Sequence, residues 1–232
     1  MQTIEASAKL TLSLRITGVR SDGMHLIDAE MVSLDLHDTL TFSDGDGLEV
    51  VGGLDAPVDD TNLVRKALRA VGRTALVRLE KRIPAGAGLG GGSTDAAAVL
   101  RWAGVHDMDL AAGVGADVAF CVVGGRARVR GIGGWVESLP FENRTFTLLT
   151  PPLACSTPAV YRAWDDLGGP TGDHGNDLEP AALAVEPDLA RWRDLLGDAT
   201  GEQPRLAGSG STWFVDGDFP AEGHVVVRTT SR

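Results

Sequence analysis

The chain has 232 residues, a formal net charge of −11, 43% hydrophobic residues and only 5% aromatic ones. It is long enough for one large domain or two modest ones whose core folds without disulfide staples. The acidic balance excludes broad attachment to phosphate backbones or anionic lipid, so neither nucleic acid nor a membrane surface is an expected partner. A phosphate-bearing small molecule stays open, because local cations and backbone N–H groups bind one inside an acidic protein. Cys121 and Cys155 lie far apart, without CxxC or Cys/His clustering, and are expected to be reduced, buried thiols of a cytoplasmic protein. The opening MQTIEASAKLTLSLRITG has no basic segment followed by an apolar run, and no stretch of about 18 apolar residues occurs, so no targeting or spanning segment is expected.

Leu10, Leu12, Leu14 and Ile16 alternate with Lys9, Thr11, Ser13 and Arg15, which predicts a half-buried strand with one apolar and one wet face. MHLIDAEMVSLDLHDTLTF continues as interrupted β structure, and SDGDG is a turn expected to reverse the chain into LEVVG. DDTNLVRKALRAVG predicts a helix capped by Thr61 or Asn62 and stopped at Gly72. TALVRLEKRI reads as a strand with Ala75, Val77 and Leu79 inward and Arg78, Glu80 and Arg82 outward, ended by Pro84. A helix is expected from Ser93 or Thr94 through Trp102, then a short helical piece, then a buried turn into strands at GVGADVAFCVVGGRARVRG. A second region begins around PFENRTFTLLTPP. It is expected to hold one strand, a helix at TPAVYRAWDDL, helical material from 178 to 197, and strands at RLAGSGSTWFV and HVVVRTT.

The segment PAGAGLGGGSTDAA, residues 84–97, carries the chemistry. Glycines let the backbone take positive φ and bring successive N–H groups against a ligand, and a helix starting near Ser93 adds unsatisfied N–H groups and the positive end of its dipole. Together these predict an anion site, with the phosphate chain of a nucleotide as the commonest occupant. A P-loop is excluded, because no lysine occurs between 83 and 104. Gly86, Gly88 and Gly91 satisfy GxGxxG, but no acidic residue at a strand end follows at the ribose-binding distance. The VAIK, HRD and DFG companions of a protein-kinase loop are missing.

That segment resembles, in triple-glycine form, the phosphate-binding motif of the galactokinase, homoserine kinase, mevalonate kinase and phosphomevalonate kinase (GHMP) superfamily. Within it ASAKLTLSLRITGVRSDGMHLID, NLVRKAL, GADVAF, NDLEP and AGSGSTWFV, in that order, resemble the 4-diphosphocytidyl-2-C-methyl-D-erythritol kinases over nearly the whole chain. The resemblance implies an α+β protein. Its ATP-binding N-terminal domain, residues 1–143, would have the fold of the second domain of ribosomal protein S5, and a shortened ferredoxin-like domain would span 144–232. It implies an ATP- and Mg²⁺-dependent kinase acting on the 2-hydroxyl of a cytidine diphosphate-linked sugar alcohol in the non-mevalonate isoprenoid route.

Carried over by position, Lys9 and Asp117 become the catalytic pair. A carboxylate orients and deprotonates the attacking hydroxyl, and an ammonium beside it keeps it ionised. Without the motifs, Lys9 would be an ordinary residue on a strand's polar face and Asp117 a cap. Pro84, Ala85, Gly86, Ala87, Gly88, Leu89, Gly90, Gly91, Gly92, Ser93 and Thr94 would wrap the ATP phosphates, with Ser93 also in the magnesium shell. Thr11, Met24 and His25 would meet the cytidine substrate, and the GSGS turn at 208–211 would support the phosphate loop.

Four departures stand out. Met24 replaces the tyrosine of the family's DGYH, removing an aromatic platform, and Thr11 replaces an asparagine. The passage between Trp102 and Gly115 is short, and no helix separates STWFVDGDFP from the last strand. A sheet face left bare by that loss would need polar residues or a partner subunit, as in a homodimer. Met24 and Thr11 keep open a related kinase for another hydroxyl substrate, and the shortening keeps open a nucleotide-binding protein without catalysis.

Overall fold

The computed structural model describes residues 1–54 and 56–231. Two long strands, β1 (Gln2–Val19) and β2 (His25–Ser43), pair antiparallel over almost their whole length. β2 is the hub of the sheet and also pairs with β4 (Leu76–Lys81), β5 (Arg126–Gly131) and the final strand β10 (His224–Thr230). β3 (Gly47–Gly52) runs parallel to β4 at the edge, and β6 (Trp135–Ser138) extends β5. The SDGDG turn reverses the chain as expected, and β4 lies between LEVVG and β2 in the sheet. Helix α1 (Leu63–Ala70) lies between β3 and β4 in the chain and makes the crossover that a parallel pair requires. Through β10 the sheet continues into β7 (Thr145–Leu149), β9 (Trp213–Asp216) and β8 (Arg205–Leu206).

Strict alternation in β1 is interrupted by bulges, including one between Thr11 and Ser13. Each extra residue shifts the face that follows. Leu10 and Leu12 consequently join a core with Phe146, Leu148, Phe214 and Val227, while Ala6 and Leu14 face a second core under the helices. The expected single apolar face is thus two faces. The polar positions are not wet either: Lys9 and Thr11 are 5% and 2% exposed.

Helix α2 (Gly91–Ala103) begins earlier than expected, with Gly90 as a left-handed cap at φ +69° rather than Ser93 or Thr94. VAFCVV, expected as a turn into strands, is helix α4 (Val118–Val123), preceded by α3 (Met108–Val114). Four consecutive residues, Val118–Cys121, are buried, and burial on every side hides the one-sided pattern that marks a surface helix. The second region follows with α5 (Thr157–Asp166), α6 (Glu179–Val185) and α7 (Leu189–Thr200). Where the helix between β9 and β10 is missing, Phe219 packs on the core and its N–H reaches Thr147 Oγ1 at 3.0 Å. On the same sheet Trp213 packs in that core and donates to the Leu189 carbonyl at the start of α7. Phe219 thus covers part of that sheet, while Val225 on β10 stays 46% exposed.

Candidate active site

The loop from Pro84 to Gly90 is held by its carbonyls. Cys155 N donates to Gly86 O, Thr212 N to Ala87 O and Lys9 N to Leu89 O. Among the described residues, no backbone N–H from Ala85 to Ser93 has a protein acceptor, and Gly90 gives α2 no side-chain cap. Gly86, Gly88 and Gly90 all have positive φ, so the alternating backbone forms a nest whose free N–H groups suit an anion. Close packing enforces glycine here: a Cβ on Gly88 would lie 2.1 Å from Ala207 O, and one on Gly90 would lie 2.6 Å from Lys9 Cγ. The cradle therefore fits a phosphate chain. Thr94 is buried and donates its hydroxyl proton to Ser7 O at 2.6 Å, bracing α2 against β1. Ser93 is the partly exposed hydroxyl of that first turn.

Lys9 reaches this cradle from β1. Its Nζ donates to Thr11 Oγ1 at 3.0 Å and pairs with Asp117 Oδ2 at 3.3 Å. Asp117 sits at the N-cap of α4 but makes no capping bond, which leaves its carboxylate for Lys9 and for a ligand. Its side chain is 31% exposed against 7% for Lys9. One partner is therefore anchored and the other open to substrate.

Under the cradle lies a buried ionic group. Lys81 pairs with Asp38 and, at 2.9 Å, with Asp95 in α2, and all three are at most 5% exposed. Burial works against the Lys81 charge, but Asp95 and Asp38 outweigh it and raise its pKa. Asp38 Oδ1 also accepts the N–H groups of Arg82 and Ile83, fixing the strand end from which the loop departs. Lys81 continues the inward side of β4 after Val77 and Leu79, and these carboxylates let a charged residue occupy that buried position.

At the start of β2, His25 Nε2 lies 2.8 Å from Asp165 Oδ1, with the Tyr161 ring 4.7 Å away and the Trp164 ring 5.5 Å away edge-on. Tyr161 and Trp164 share one face of α5 at i, i+3 spacing. Burial pushes the Tyr161 phenol up to about 12, and the charge of Asp117 adds to it. Met24, by contrast, is 46% exposed.

Residues 62–125 match the family model for the GHMP kinase N-terminal domain. Over 94% of its length the chain is 36% identical to a 4-diphosphocytidyl-2-C-methyl-D-erythritol kinase of Ruegeria pomeroyi, 89% of which is covered. It is 38% identical over 90% of its length to the enzyme of that name from Paracoccus denitrificans, covering 84% of it. A crystal structure of 4-(cytidine 5'-diphospho)-2C-methyl-D-erythritol kinase superposes with a TM-score of 0.78 at 30% identity, covering 98% of this chain and 99% of that one. The chain belongs to the 4-diphosphocytidyl-2-C-methyl-D-erythritol kinase family.

Membership makes it an ATP-dependent small-molecule kinase of the GHMP type. In this family member the structure brings together Lys9, Thr11, Asp117 and the glycine loop, and sets His25 in an aromatic recess of its own. A groove of about 790 Å³ lined by Gln2, Glu5, His106, Val123 and Thr230 lies apart from Lys9 and Asp117. Sequence reasoning missed Tyr161, Trp164 and Asp165, although Tyr161 is the only tyrosine in an aromatic-poor chain, a signal that was legible. It also missed Lys81, Asp38 and Asp95, whose pairing joins residues up to 57 positions apart. Among the described residues no helix is long and apolar enough to cross a membrane.

Proposed function

We propose that this chain transfers the γ-phosphoryl group of ATP to the 2-hydroxyl of 4-diphosphocytidyl-2-C-methyl-D-erythritol, as the names of its relatives indicate. The observation that carries the reading is the Lys9–Asp117 pair at 3.3 Å, with Lys9 packed against the glycine cradle. Asp117 accepts the proton of the acceptor hydroxyl, and Lys9 holds that carboxylate ionised while offsetting charge on the transferring group. Bound ATP supplies the phosphoryl group, which the N–H groups of residues 85–93 and the α2 dipole hold in line. Ser93 is the protein oxygen for Mg²⁺. The described residues hold no cluster of three His, Cys, Asp or Glu, as suits a metal that keeps its waters and arrives on the phosphates. His25 meets the cytosine edge, and Tyr161 and Trp164 supply the aromatic surface that Met24 does not.

We assign residues 1–143 to the ATP-binding domain and 144–232 to the second, shortened one, in a cytoplasmic enzyme. Both substrates meet residues of one chain, and the core on the shortened sheet, filled by Phe219, leaves a homodimer to form through another surface. A coupled assay of ADP release with the cytidylyl substrate tests the reading. Turnover by wild type and its loss in Asp117→Asn are expected, and absence of turnover by folded wild type would overturn it.

A further inference from the structure

The NDLEP segment takes no part in the reaction as proposed, yet its asparagine is among the most fully bonded side chains of the protein. Asn176 is 3% exposed. Its Nδ2 donates to Leu206 O at 2.9 Å and to Gly208 O at 2.7 Å, and its Oδ1 accepts Leu178 N at 3.0 Å. Both amide hydrogens thus grip the two ends of the segment Leu206–Gly208. That segment touches the reaction machinery on two sides. A Cβ on Gly88 would meet Ala207 O at 2.1 Å, and a Cβ on Gly208 would lie 3.3 Å from Lys9 Nζ and 3.7 Å from Thr11 Oγ1. The segment is wedged between the phosphate cradle and the catalytic ammonium.

The backbone of the same segment is tied to β1, the strand that carries Lys9. Leu14 N donates to Gly175 O at 2.8 Å and Asp177 N to Leu14 O at 2.9 Å. Asp177 then accepts Ile16 N at 2.9 Å and the Arg15 guanidinium at 2.6 Å. One short stretch therefore fixes both the strand that presents Lys9 and the turn that confines its ammonium.

Resting on the function proposed above, we propose that Asn176 is a positioning residue for phosphoryl transfer, setting through Leu206–Gly208 the distance between the Lys9 ammonium and the Gly88 cradle. Only an amide does this: it offers two donors to two carbonyls and an acceptor to Leu178 N. Aspartate has the same shape but would face those carbonyls with oxygens, pushing the turn toward Lys9. A misplacement of about 1 Å at the reacting groups costs on the order of 100-fold in rate.

The test is steady-state kinetics for both substrates on wild type, Asn176→Asp, Asn176→Ala and a control, Leu196→Ala, which removes a fully buried side chain of α7 that takes no part in the Asn176 hydrogen bonds. The expected result is a kcat loss of about 100-fold in Asn176→Asp and about 10-fold in Asn176→Ala. KM for the cytidylyl substrate should change less than about threefold, and the control should keep its kcat per folded molecule despite a lowered Tm. If wild type turns over while folded Asn176→Asp keeps its kcat, or if the control loses kcat in proportion to its stability as the Asn176 variants do, the positioning role is overturned. If wild type itself does not turn over, the functional reading fails and takes the inference with it. Should Asn176→Asp not fold, Asn176→Ala decides by the same criterion.

Discussion

The proposed donor and acceptor sites, the glycine loop and the recess around His25, are built in opposite ways. The phosphate cradle is one continuous stretch of backbone, Pro84 to Thr94, tied to the protein through the carbonyls of Gly86, Ala87 and Leu89, with the first N–H groups of α2 uncapped. The acceptor recess is assembled from side chains about 140 positions apart, His25 on β2 and Tyr161, Trp164 and Asp165 on α5. A backbone site tolerates little change at its most tightly packed glycines, since a Cβ on Gly88 meets main chain and one on Gly90 meets Lys9. A side-chain recess can exchange one aromatic for another: here Tyr161 and Trp164 lie beside His25 while Met24 is exposed. Rigidity on the donor side and substitution on the acceptor side are the lesson of the contrast.

That contrast can be broken at several points. The largest effect is expected where the two sides meet: Asp117→Asn and Lys9→Met should each lower kcat by about 10²- to 10⁴-fold with an unchanged circular dichroism spectrum. Beneath the cradle, Lys81→Met leaves two buried carboxylates without their cation and should cost about 3–5 kcal/mol in denaturant unfolding. Gly88→Ala, forced against Ala207 O, should abolish detectable binding of a non-hydrolysable ATP analogue in calorimetry, and retained affinity would show that the loop is softer than its packing implies. On the acceptor side the effects should fall on KM. Trp164→Ala should raise KM for the cytidylyl substrate by about 10-fold and move KM for ATP little, in keeping with an aromatic contact worth about 0.5–1.5 kcal/mol beyond its buried area.

The smallest effect concerns pH. With its phenol pushed up to about 12 by burial and by Asp117, Tyr161 stays protonated through the alkaline range. Tyr161→Phe should therefore leave the pH profile of kcat unchanged up to pH 10. A profile whose alkaline limb disappears in the variant would assign Tyr161 a titrating role that this environment denies it.

The same contrast explains what could be read from the sequence. The glycine loop is a local pattern that points to an anion by itself, whereas Lys9 and Asp117 are implied only by the family resemblance that the AKL and GAD segments carry. Periodicity failed where a bulge flipped faces after Thr11; at Lys81 the alternation held, and what no pattern encodes is that its inward charge finds partners on β2 and α2. It failed again at α4, because Val118–Cys121 are buried in succession and leave no polar stripe. The aromatic recess and the Asn176 clamp depend on tertiary neighbours, which no local pattern encodes. The lost helix before β10 was legible, but its consequence was not, since Phe219 fills the space from a loop.

The most direct test of the central claim is the identity of the product. Incubation of the chain with ATP, Mg²⁺ and 4-diphosphocytidyl-2-C-methyl-D-erythritol, followed by phosphorus NMR and mass spectrometry, should yield ADP and one new phosphomonoester on the 2-hydroxyl, in equal amounts. Hydrolysis of ATP without that ester, or an ester on a different alcohol only, would contradict the account.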